Sequence, residues 1–532
     1  MSARAAPPAG RSRVARVVGM ILVPYLLLGL FWAVANPATA APDENDHLVK
    51  ALGLARLDIG VPGPPAPAGT TDKGVIRNAS ITRVVEIPAR LSPDAYPCFR
   101  FKPQATGACQ PSSPPVTGGD LLVATTVGAY PPFLYPPVGV VATLGADVPT
   151  ADLLGRLMVL TASMVLLGLT CAHLARWLGA RALVGVAAAA TPMVMFCTGS
   201  LTTSAVEILA AMGMAAVVTV YGRHPESLRE PRTLAVVLVC ATVLVLSRQL
   251  GVVSLGVFTG LLLLLGGGRE LLGGLRSGSR LMWVTVVAPV LAIAAIAVWE
   301  LRYDHPVLLG PWVSADSLVR FVQVQTLPLV EQSVGWFGWL DVRPPTIVNV
   351  VWFAAIVALV LAALVCGDRR DRLVIVGLFV AGVTLSYVTY SRAFYGVDAG
   401  LQGRHVIPIL SIVPIWSGGV LARCPAGRSW RAGLMLAAAA LPVVVLVGFY
   451  LNAQRYAVGL DSGYGGLGDL WFVPQAQWSP PLGWTFWAVE GVVGAALLGA
   501  TWYRLLASPA FGSAAGRPMA QHRQHGGSNP SQ

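Results

Sequence analysis

Charged residues are scarce in this sequence, and several common catalytic motifs are absent from it. Only 12% of the 532 residues are charged, whereas 55% are apolar, which is far more apolar surface than one soluble core would bury. The composition therefore indicates an integral membrane protein. The sequence contains no P-loop, no Rossmann glycine pattern, no His-Glu-x-x-His and no Gly-x-Ser-x-Gly. The sequence therefore lacks the usual motifs of nucleotide-driven transporters and of serine hydrolases.

Acidic residues are fewer than basic ones, and metal-binding cysteine patterns are missing. The 25 acidic and 37 basic residues give a net charge of +12. In a membrane protein this excess is explained by cytoplasmic loops that face anionic lipid, and it does not imply nucleic-acid binding. Five of the seven cysteines lie in or beside apolar segments without metal-ligand spacing. Cys98 and Cys109 share one long polar loop, so we predict a disulfide between them in an oxidising compartment.

Long apolar runs predict an all-α membrane protein, a polytopic bundle of about twelve transmembrane helices. The first run is followed by Ala38-Thr39-Ala40 and also fits a cleavable secretory signal, although its length favours an uncleaved span. The second and fourth runs after it are short for the ~30 Å hydrocarbon layer, and a re-entrant pair is the alternative there. The predicted spans are 17–35, 153–172, 182–198, 203–221, 233–247, 250–266, 281–299, 346–366, 373–390, 405–422, 433–451 and 483–503.

The arginines predict the orientation of these spans. If the N-terminus is cytoplasmic, every short loop on that side carries at least two arginines, as the positive-inside rule requires. Both termini then lie in the cytoplasm, and the expected location is the bacterial cell membrane. We expect a cytoplasmic tail over 1–16, a membrane domain over 17–505 with an extracytoplasmic loop over 42–150, and a disordered cytoplasmic tail over 506–532.

Three acids and a histidine follow the first span directly. Asp43, Glu44, Asp46 and His47 lie where the chain leaves the bilayer on the extracytoplasmic side. Such a cluster is a candidate for proton transfer or metal binding when it faces arginines at a membrane surface. The alternative is that Asp43 only caps a helix that starts at the next residue.

Two features of the following loop bear on its local structure. Residues 84–87, Val-Val-Glu-Ile, predict a short strand. The prolines within 130–137 predict a segment that is not a regular helix, because proline lacks the N–H donor and clashes with the preceding turn. We expect this aromatic segment to pack on the bundle.

The positive-inside rule disfavours arginine on the extracytoplasmic side, so we expect each arginine there to have a negatively charged partner. Arg404, within Gln402-Gly403-Arg404-His405, could neutralise a phosphate or pyrophosphate through its planar guanidinium. An ion pair with Asp398 or Asp341 is an equal alternative.

Glu207 and Arg248 are placed deeper in the membrane. Glu207 lies about one turn inside a predicted span, and Arg248 lies between two apolar runs. Ionisable groups are costly there and usually line a cavity. Pairing within the bundle is the structural alternative.

Ordered motifs along the chain resemble a bacterial multi-spanning membrane family, domain-of-unknown-function family 2142, which is grouped by fold with the GT-C glycosyltransferases. The resemblance covers residues 17–505 and implies a GT-C-like bundle with a long extracytoplasmic loop after the first helix. It also implies a membrane-embedded glycosyltransferase that uses a polyprenyl-phosphate sugar. The motifs that carry it are Pro42-Asp43-Glu44 with His47, Thr191-Pro192-Met193 through Gly199-Ser200 and Glu207, the Tyr-Pro-Pro-rich segment, residues 335–341, and Gln402-Gly403-Arg404.

The resemblance also implies which acid acts, because Asp43 and Glu44 match the family's acid position in the first external loop. We expect Asp43 to take the proton of a hydroxyl acceptor as the sugar is transferred with inversion. Glu44 or His47 would orient that acceptor. If a divalent cation such as Mg²⁺ or Mn²⁺ takes part, Asp43 and Glu44 are its expected ligands.

The remaining expectations concern the donor, the acceptor and the alternatives. Arg404, Arg392 and Gln402 would bind the donor phosphate, and Asp341 is a further candidate base. The acceptor would be a cell-envelope glycan or lipid, with membrane lipids as the other partners. A non-catalytic lipid-linked glycan flippase or transporter is the second hypothesis, in which Glu207 and Arg248 would line the path. A scaffold for cell-envelope assembly is the third.

Overall fold

The computed structural model describes residues 11–111, 118–302, 314–394, 396–398, 400–424, 428–460 and 471–507. The expected cytoplasmic segment over 1–10 and the expected disordered tail from 508 to 532 lie outside these residues. The described chain is mainly helical, as expected. Its α-helices are α1 (Arg11–Val34), α2 (Glu44–Ala55), α3 (Lys73–Ile81), α4 (Tyr135–Ala142), α5 (Val148–Leu178), α6 (Val184–Ala189), α7 (Pro192–Thr198), α8 (Ser204–Tyr221), α9 (Pro231–Ser247), α10 (Gln249–Leu264), α11 (Gly267–Arg276), α12 (Arg280–Arg302), α13 (Ala315–Arg320), α14 (Thr326–Val334), α15 (Thr346–Cys366), α16 (Arg369–Arg392), α17 (Gly403–Leu410), α18 (Ile412–Leu421), α19 (Arg428–Ala457) and α20 (Gly483–Ala507).

Within the described residues, nine helices are long and apolar enough to cross a membrane, or up to eleven if each of two bent helix pairs counts as one span. The bent pairs are α6 with α7, at 81°, and α10 with α11, at 91°. A further apolar helix, α9, has 17 residues. The predicted polytopic helical membrane architecture is confirmed, whereas the predicted number of about twelve spans is not reached by this count.

Both bends have local causes. Helix α7 begins at Pro192, which has no N–H to continue the hydrogen bonding of α6, and the Thr191 hydroxyl accepts from the Val194 N–H. Gly266, between α10 and α11, has a φ of 98°, a backbone conformation that glycine adopts without a Cβ clash. The short apolar run at 182–198 is therefore a bent helix pair.

The long connections gather at one end of the bundle, which we call the loop end. It carries residues 35–111, 118–147, 314–345, 393–394, 396–398, 400–402 and 471–482. The indole N–H of Trp339 donates to the Thr39 carbonyl at 3.1 Å, and the Thr106 hydroxyl donates to the Gln477 side-chain oxygen at 3.3 Å. Segments far apart in sequence thus form one polar layer above the spanning helices.

The opposite end of the bundle carries the arginines that predict the orientation. Arg223 and Arg423 both pair with the Asp371 carboxylate, at 3.1 Å and 2.9 Å. Arg176 pairs with Glu230 at 2.5 Å. The first two contacts join the ends of α8 and α18 to the start of α16, and the third joins the end of α5 to the start of α9.

A small sheet lies at the loop end. Strands β1 (Val61–Pro62), β2 (Arg83–Pro88) and β3 (Asp120–Thr125) pair antiparallel in that order, with Val85 opposite Val123. Alternate residues of β2 are buried, and two of them, Val85 and Ile87, belong to the same apolar cluster as Leu48 and Leu52 of α2. The predicted strand at 84–87 is thus confirmed, and it holds α2 against the bundle. Nearby, Cys98 and Cys109 form the expected disulfide.

The segment 130–137 departs from the expectation that it avoids helix. Helix α4 starts at Tyr135, with Pro136 and Pro137 in its first turn. Proline is tolerated there because the first N–H groups of a helix have no partner inside the helix. The prolines therefore fix where the helix begins.

Candidate active site

One buried arginine fixes the turn between α1 and α2 through hydrogen bonds. Arg156 of α5 donates to the backbone carbonyls of Ala33 at 3.0 Å, Asn36 at 3.1 Å and Pro37 at 2.7 Å. It also pairs with Asp152, one turn earlier, at 2.9 Å, and Asp152 accepts from the Thr39 N–H at 3.0 Å. This turn is therefore fixed before any ligand binds.

Glu44 completes this network and is not exposed to any acceptor. Its two oxygens accept from Arg156 at 2.8 Å and 2.7 Å, and from the N–H groups of Ala41 at 3.0 Å and Leu201 at 2.7 Å. The side chain is 0% exposed. The expectation that Glu44 orients an acceptor does not fit this arrangement, because its oxygens already hold the turn.

Asp43 is oriented differently from its neighbour. It precedes the first residue of α2 with φ 64° and ψ 10°, a left-handed conformation that is uncommon for residues other than glycine. Its side chain makes no capping hydrogen bond to α2 and is 37% exposed. The alternative that Asp43 serves as a plain helix cap is therefore wrong in this structure, and its carboxylate faces outward from the turn.

Arg404, the second residue of α17, lies beside Asp43. Gly403, the first residue of α17, donates its N–H to the Gln332 side-chain oxygen of α14 at 2.9 Å. A Cβ at Gly403 would lie 2.3 Å from the Ser333 nitrogen, so only glycine allows α17 to approach α14 this closely. This approach places the next residue, Arg404, beside the turn after α1.

The side chains of Arg404 and Asp43 form an ion pair at 3.3 Å between Nη2 and Oδ2. This is longer than the usual 2.7–2.9 Å of such charge-assisted bonds. The Arg404 side chain is 5% exposed, and its Nε has no hydrogen-bond partner among the described residues. A small pocket lined by Pro42, Gln332 and Gln402 opens beside it. The guanidinium therefore keeps a donor available for an anion.

His47 lies one turn into α2 and contacts the aromatic segment instead of the pocket beside Arg404. Its Nδ1 is 2.8 Å from the Tyr135 hydroxyl, and the two rings stack with centroids 5.8 Å apart. Burial lowers the pKa of His47 well below its usual value, and the positive charges of Arg248, Arg404 and Lys50 lower it further. His47 is thus neutral at physiological pH.

Arg248 and Glu207 lie under the same site. Arg248 donates to the Tyr130 hydroxyl at 2.7 Å and to the Ser204 hydroxyl at 3.2 Å, and its Nη1 lies 3.8 Å from Glu207. Both charged side chains are buried. Of the two sequence-based alternatives, pairing within the bundle matches this contact, and lining of a cavity by these two residues stays a prediction. We call Asp43, His47, Glu207, Arg248 and Arg404 the charged cluster.

Two partners expected for Arg404 are occupied elsewhere. Asp398 pairs with Arg320, and Asp341 pairs with Arg455 of α19 at 2.9 Å. Asp341 also accepts from the Trp339 N–H at 3.1 Å, which fixes its own turn. The expected ion pairs of Arg404 with these acids are therefore wrong, and Asp341 is not positioned as a second base.

The two other candidate phosphate-binding residues differ in position. Gln402 lines the pocket beside Arg404, and its N–H donates to the His405 Nδ1 at 3.1 Å. Arg392 is half-buried at the last position of α16. Gln402 is thus next to the candidate phosphate site, and a role for Arg392 stays a prediction.

The expected metal site does not fit the side chains at the turn. Both Glu44 oxygens accept hydrogen bonds, and Asp43 pairs with Arg404. No group of three or more histidine, cysteine or acidic side chains in the described parts of the chain is arranged to hold a metal ion. Joint ligation of a cation by Asp43 and Glu44 is therefore not supported.

Sequence reasoning missed the residue that organises this site, Arg156. The signal was present, because Asp152 and Arg156 are charged residues one helical turn apart in an otherwise apolar span. The roles of Tyr130 and Tyr135 were missed as well. Their hydroxyls contact Arg248 and His47, which gives the expected packing of the aromatic segment on the bundle a polar function.

An apolar cleft of about 400 Å³ lies between α15, α16 and the α17–α18 region. Its walls include Phe353, Val357 and Phe379 of α15 and α16, and Val357 and Phe379 are more than half exposed in the spanning region. Its lining also includes Ser333, next to Gln332, and Ile407, one turn after Arg404. The cleft has the dimensions and lining of a site for a hydrocarbon chain.

The fold and site define a multi-pass helical membrane protein with a charged cluster at the loop end. The chain belongs to the family described as predicted membrane protein (DUF2142), whose model matches residues 26–413. That range includes every member of the charged cluster. No curated protein matches the chain.

One solved structure is similar in outline. It is the crystal structure of ArnT from Cupriavidus metallidurans in the apo state, with 14% sequence identity, 92% of this chain and 78% of that chain covered, and a TM-score of 0.39. A likeness of this degree assigns no function to the charged cluster.

Proposed function

We propose that this protein is a membrane-embedded glycosyltransferase that moves a sugar from a polyprenyl-phosphate donor to a hydroxyl acceptor. The observation that carries the proposal is the Asp43–Arg404 ion pair beside a membrane-facing apolar cleft. An arginine with an available donor suits a lipid phosphate, and a half-exposed carboxylate next to it suits a general base. The resemblance of the family to GT-C glycosyltransferases supports the same reading.

Asp43 is the proposed general base. The acceptor hydroxyl oxygen forms a bond to the anomeric carbon while the bond from that carbon to the phosphate oxygen breaks, and the hydroxyl proton passes to the Asp43 carboxylate. The left-handed turn keeps this carboxylate away from the N–H groups of α2 that would otherwise bind it. A base must reach the acceptor proton at hydrogen-bond distance, and the 37% exposure of the Asp43 side chain leaves its carboxylate accessible for that contact.

Arg404 is the proposed phosphate-binding residue. The electron pair of the breaking bond stays on the phosphate oxygen, so negative charge develops there, and donors already in place stabilise it most. Arg404 is held by the contact of Gly403 with α14, and its Nε is available. A bound phosphate would also compete with Asp43 for the guanidinium.

The donor lipid is proposed to lie in the cleft between α15, α16 and the α17–α18 region. Its isoprenoid chain would contact the apolar walls, and its phosphate would contact Arg404 and Gln402. The pocket beside these two residues has a volume of about 10 Å³, so it must widen to admit the phosphate. We propose that both termini are cytoplasmic and that the loop end faces the outside of a bacterial cell membrane. The acceptor would then be a cell-envelope glycan or lipid, and no step proposed here passes through a metal ion.

The test is turnover of defined donors by the purified protein in lipid nanodiscs. Polyprenyl phosphates that carry glucose, mannose, galactose or arabinose are supplied with envelope extract, and released polyprenyl phosphate is measured. We expect release with at least one donor, and loss of release in Asp43→Asn. Glu86→Gln, an exposed acid on β2, is the matched control.

The transporter hypothesis makes a different prediction in the same system. A flippase would move the intact sugar lipid between leaflets without release of polyprenyl phosphate. Translocation without release for every donor would therefore reject the enzyme and favour the transporter.

A further inference from the structure

Glu207 is a buried acid for which the described chain supplies no hydrogen-bond donor. It lies in the first turn of α8, a helix whose spanning window is entirely buried, and the residue is 1% exposed. Neither carboxylate oxygen has a hydrogen-bond partner among the described residues. A buried polar group without partners costs free energy, and the cost is larger when the group is ionised. Donors from outside the chain would remove that cost.

The neighbouring arginine does not satisfy this carboxylate. Arg248 approaches Glu207 at 3.8 Å, which is beyond hydrogen-bond distance. Its two terminal nitrogens are directed to the hydroxyls of Tyr130 and Ser204 instead. Ser204 precedes Glu207 by three residues and so lies on the same face of α8. The carboxylate thus lies beside the guanidinium but accepts nothing from it.

A purely structural role explains the position of Glu207 only in part. An acid in the first turn of a helix is stabilised by the helix dipole, also at exposed sites. That effect does not require burial, and burial removes the water that would satisfy the oxygens. An exposed acid would give the same dipole interaction without the desolvation cost.

The chemistry around Glu207 narrows the class of ligand. Arg248 is adjacent to Glu207. The positive charges of Arg248 and Arg404 both lie close enough to His47 to lower its pKa. These two positive charges disfavour a metal cation or an amine. A phosphate oxygen would be repelled by the carboxylate and suits the arginines better. Neutral hydroxyl groups fit, because each can donate to a carboxylate oxygen and accept from a guanidinium.

We infer that Glu207 binds hydroxyl groups of the sugar carried by the lipid donor, an inference that rests on the proposed function. Each carboxylate oxygen accepts from one hydroxyl, and Arg248 is close enough to donate to an oxygen of the same sugar. Thr203 and Val206 line a second, mainly apolar cleft of about 280 Å³ together with His47 and Tyr135, so open space reaches the first turn of α8, next to Glu207 in sequence. Arg404 holds the phosphate, and Glu207 distinguishes a lipid that carries a sugar from one that does not.

The test measures binding without turnover. Two probes are titrated against the protein in nanodiscs, namely short-chain polyprenyl phosphate and the same lipid carrying the sugar that the turnover panel selects, or mannose if none is selected. The wild-type protein should bind the sugar-bearing probe about tenfold or more tightly. Glu207→Gln should lose this preference while it keeps its affinity for polyprenyl phosphate. Arg404→Ala should weaken the binding of both probes.

Controls separate recognition from folding and from catalysis. Thr219→Val changes another buried polar residue of α8 toward its other end, and it should keep the preference. If Glu207→Gln does not fold, donors that lack single hydroxyls are titrated against the wild-type protein, and at least one should bind about tenfold more weakly.

Equal wild-type affinity for the two probes, or equal weakening of both by Glu207→Gln, would overturn the inference. So would unchanged affinity for every deoxy donor. A sugar preference that depends on Glu207 without turnover would leave the inference standing and reject only the glycosyltransferase.

Discussion

Arg404 and Asp43 are 361 residues apart in sequence, and their side chains meet at 3.3 Å at the loop end. Each is placed by a different constraint. Asp43 is oriented by a left-handed turn fixed to Arg156 through its neighbour Glu44, and Arg404 is oriented by the close contact of Gly403 with α14. The pair therefore joins the first third of the chain to the last third across the site.

The first prediction separates Glu44 from Asp43, which are adjacent in sequence. Glu44→Gln removes one of the two acids that pair with buried Arg156, the other being Asp152, and breaking a buried ion pair typically costs about 3–5 kcal/mol. We expect a clear loss of folded yield and a lower Tm in detergent. Asp43→Asn, the matched change one residue earlier, should leave both unchanged because Asp43 is half-exposed. A Glu44→Gln protein with the yield and Tm of wild type would contradict the proposed anchoring role.

The second prediction concerns Gly403. In Gly403→Ala the new Cβ would lie 2.3 Å and 2.4 Å from backbone atoms of Ser333 and Gln332, so the start of α17 must shift. Displacement of a catalytic group by about 1 Å can cost about a hundredfold in rate. We expect turnover to fall at least tenfold. Gly256→Ala in α10, where a Cβ meets nothing within 4 Å, is the control and should keep wild-type turnover. Full activity in Gly403→Ala would show that the close approach is not needed.

The third prediction is a pH dependence of stability at Asp46. Burial is the main reason that the pKa of Asp46 is raised from 3.8 to about 6, although the Thr126 N–H donates to it at 2.6 Å. An acid whose pKa is raised by folding binds its proton more tightly in the folded state. Its contribution to stability is therefore full below about pH 4 and is lost as the pH rises through about 6.

Asp46→Asn keeps an acceptor for the Thr126 N–H and removes the charge. We expect its Tm to exceed that of the wild-type protein by a few degrees at pH 7.5, with the difference vanishing near pH 4. Thermal unfolding of both proteins across this pH range checks it. A wild-type protein that is more stable than Asp46→Asn at pH 7.5 would show that the charge of Asp46 contributes favourably.

The fourth prediction concerns orientation. Reporters fused after residues 226 and 274 should report the cytoplasm, and reporters after 110 and 325 should report the outside, because the arginine-rich connections are retained inside. The structure groups the first two positions at the arginine-rich end and the last two at the loop end. A cytoplasmic signal from position 110 would place the charged cluster on the wrong side for an extracytoplasmic transferase.

The sequence was sufficient for the general architecture and for part of the site. Apolar run lengths predicted the helical bundle, and the positions of Asp43 and Arg404 in loops on the same side made both of them candidates. The sequence could not choose the partner of Arg404, because Asp398 and Asp341 have the same charge and the same predicted side. Packing made that choice by placing Arg320 and Arg455 beside them.

Neighbouring residues in one motif also received opposite roles. Asp43 and Glu44 are similar in sequence terms, but the left-handed turn at Asp43 directs one carboxylate outward and the other onto Arg156. A backbone conformation of this kind is set by tertiary contacts and leaves no periodic pattern in the sequence. The same holds for α4, where prolines that predicted an absence of helix instead start one.

The most direct test of the central claim is turnover and donor affinity measured together in Asp43→Asn and Arg404→Ala. Asp43→Asn should bind the donor at least as tightly as wild type, because the phosphate no longer competes with a carboxylate for Arg404. It should release polyprenyl phosphate at least about a hundredfold more slowly, because the amide cannot take the proton. Arg404→Ala should lose both affinity and rate, because the phosphate is present before and during the reaction. Arg320→Ala, an exposed arginine at the loop end, should resemble wild type. Wild-type turnover in Asp43→Asn would contradict the assignment of Asp43 as the base.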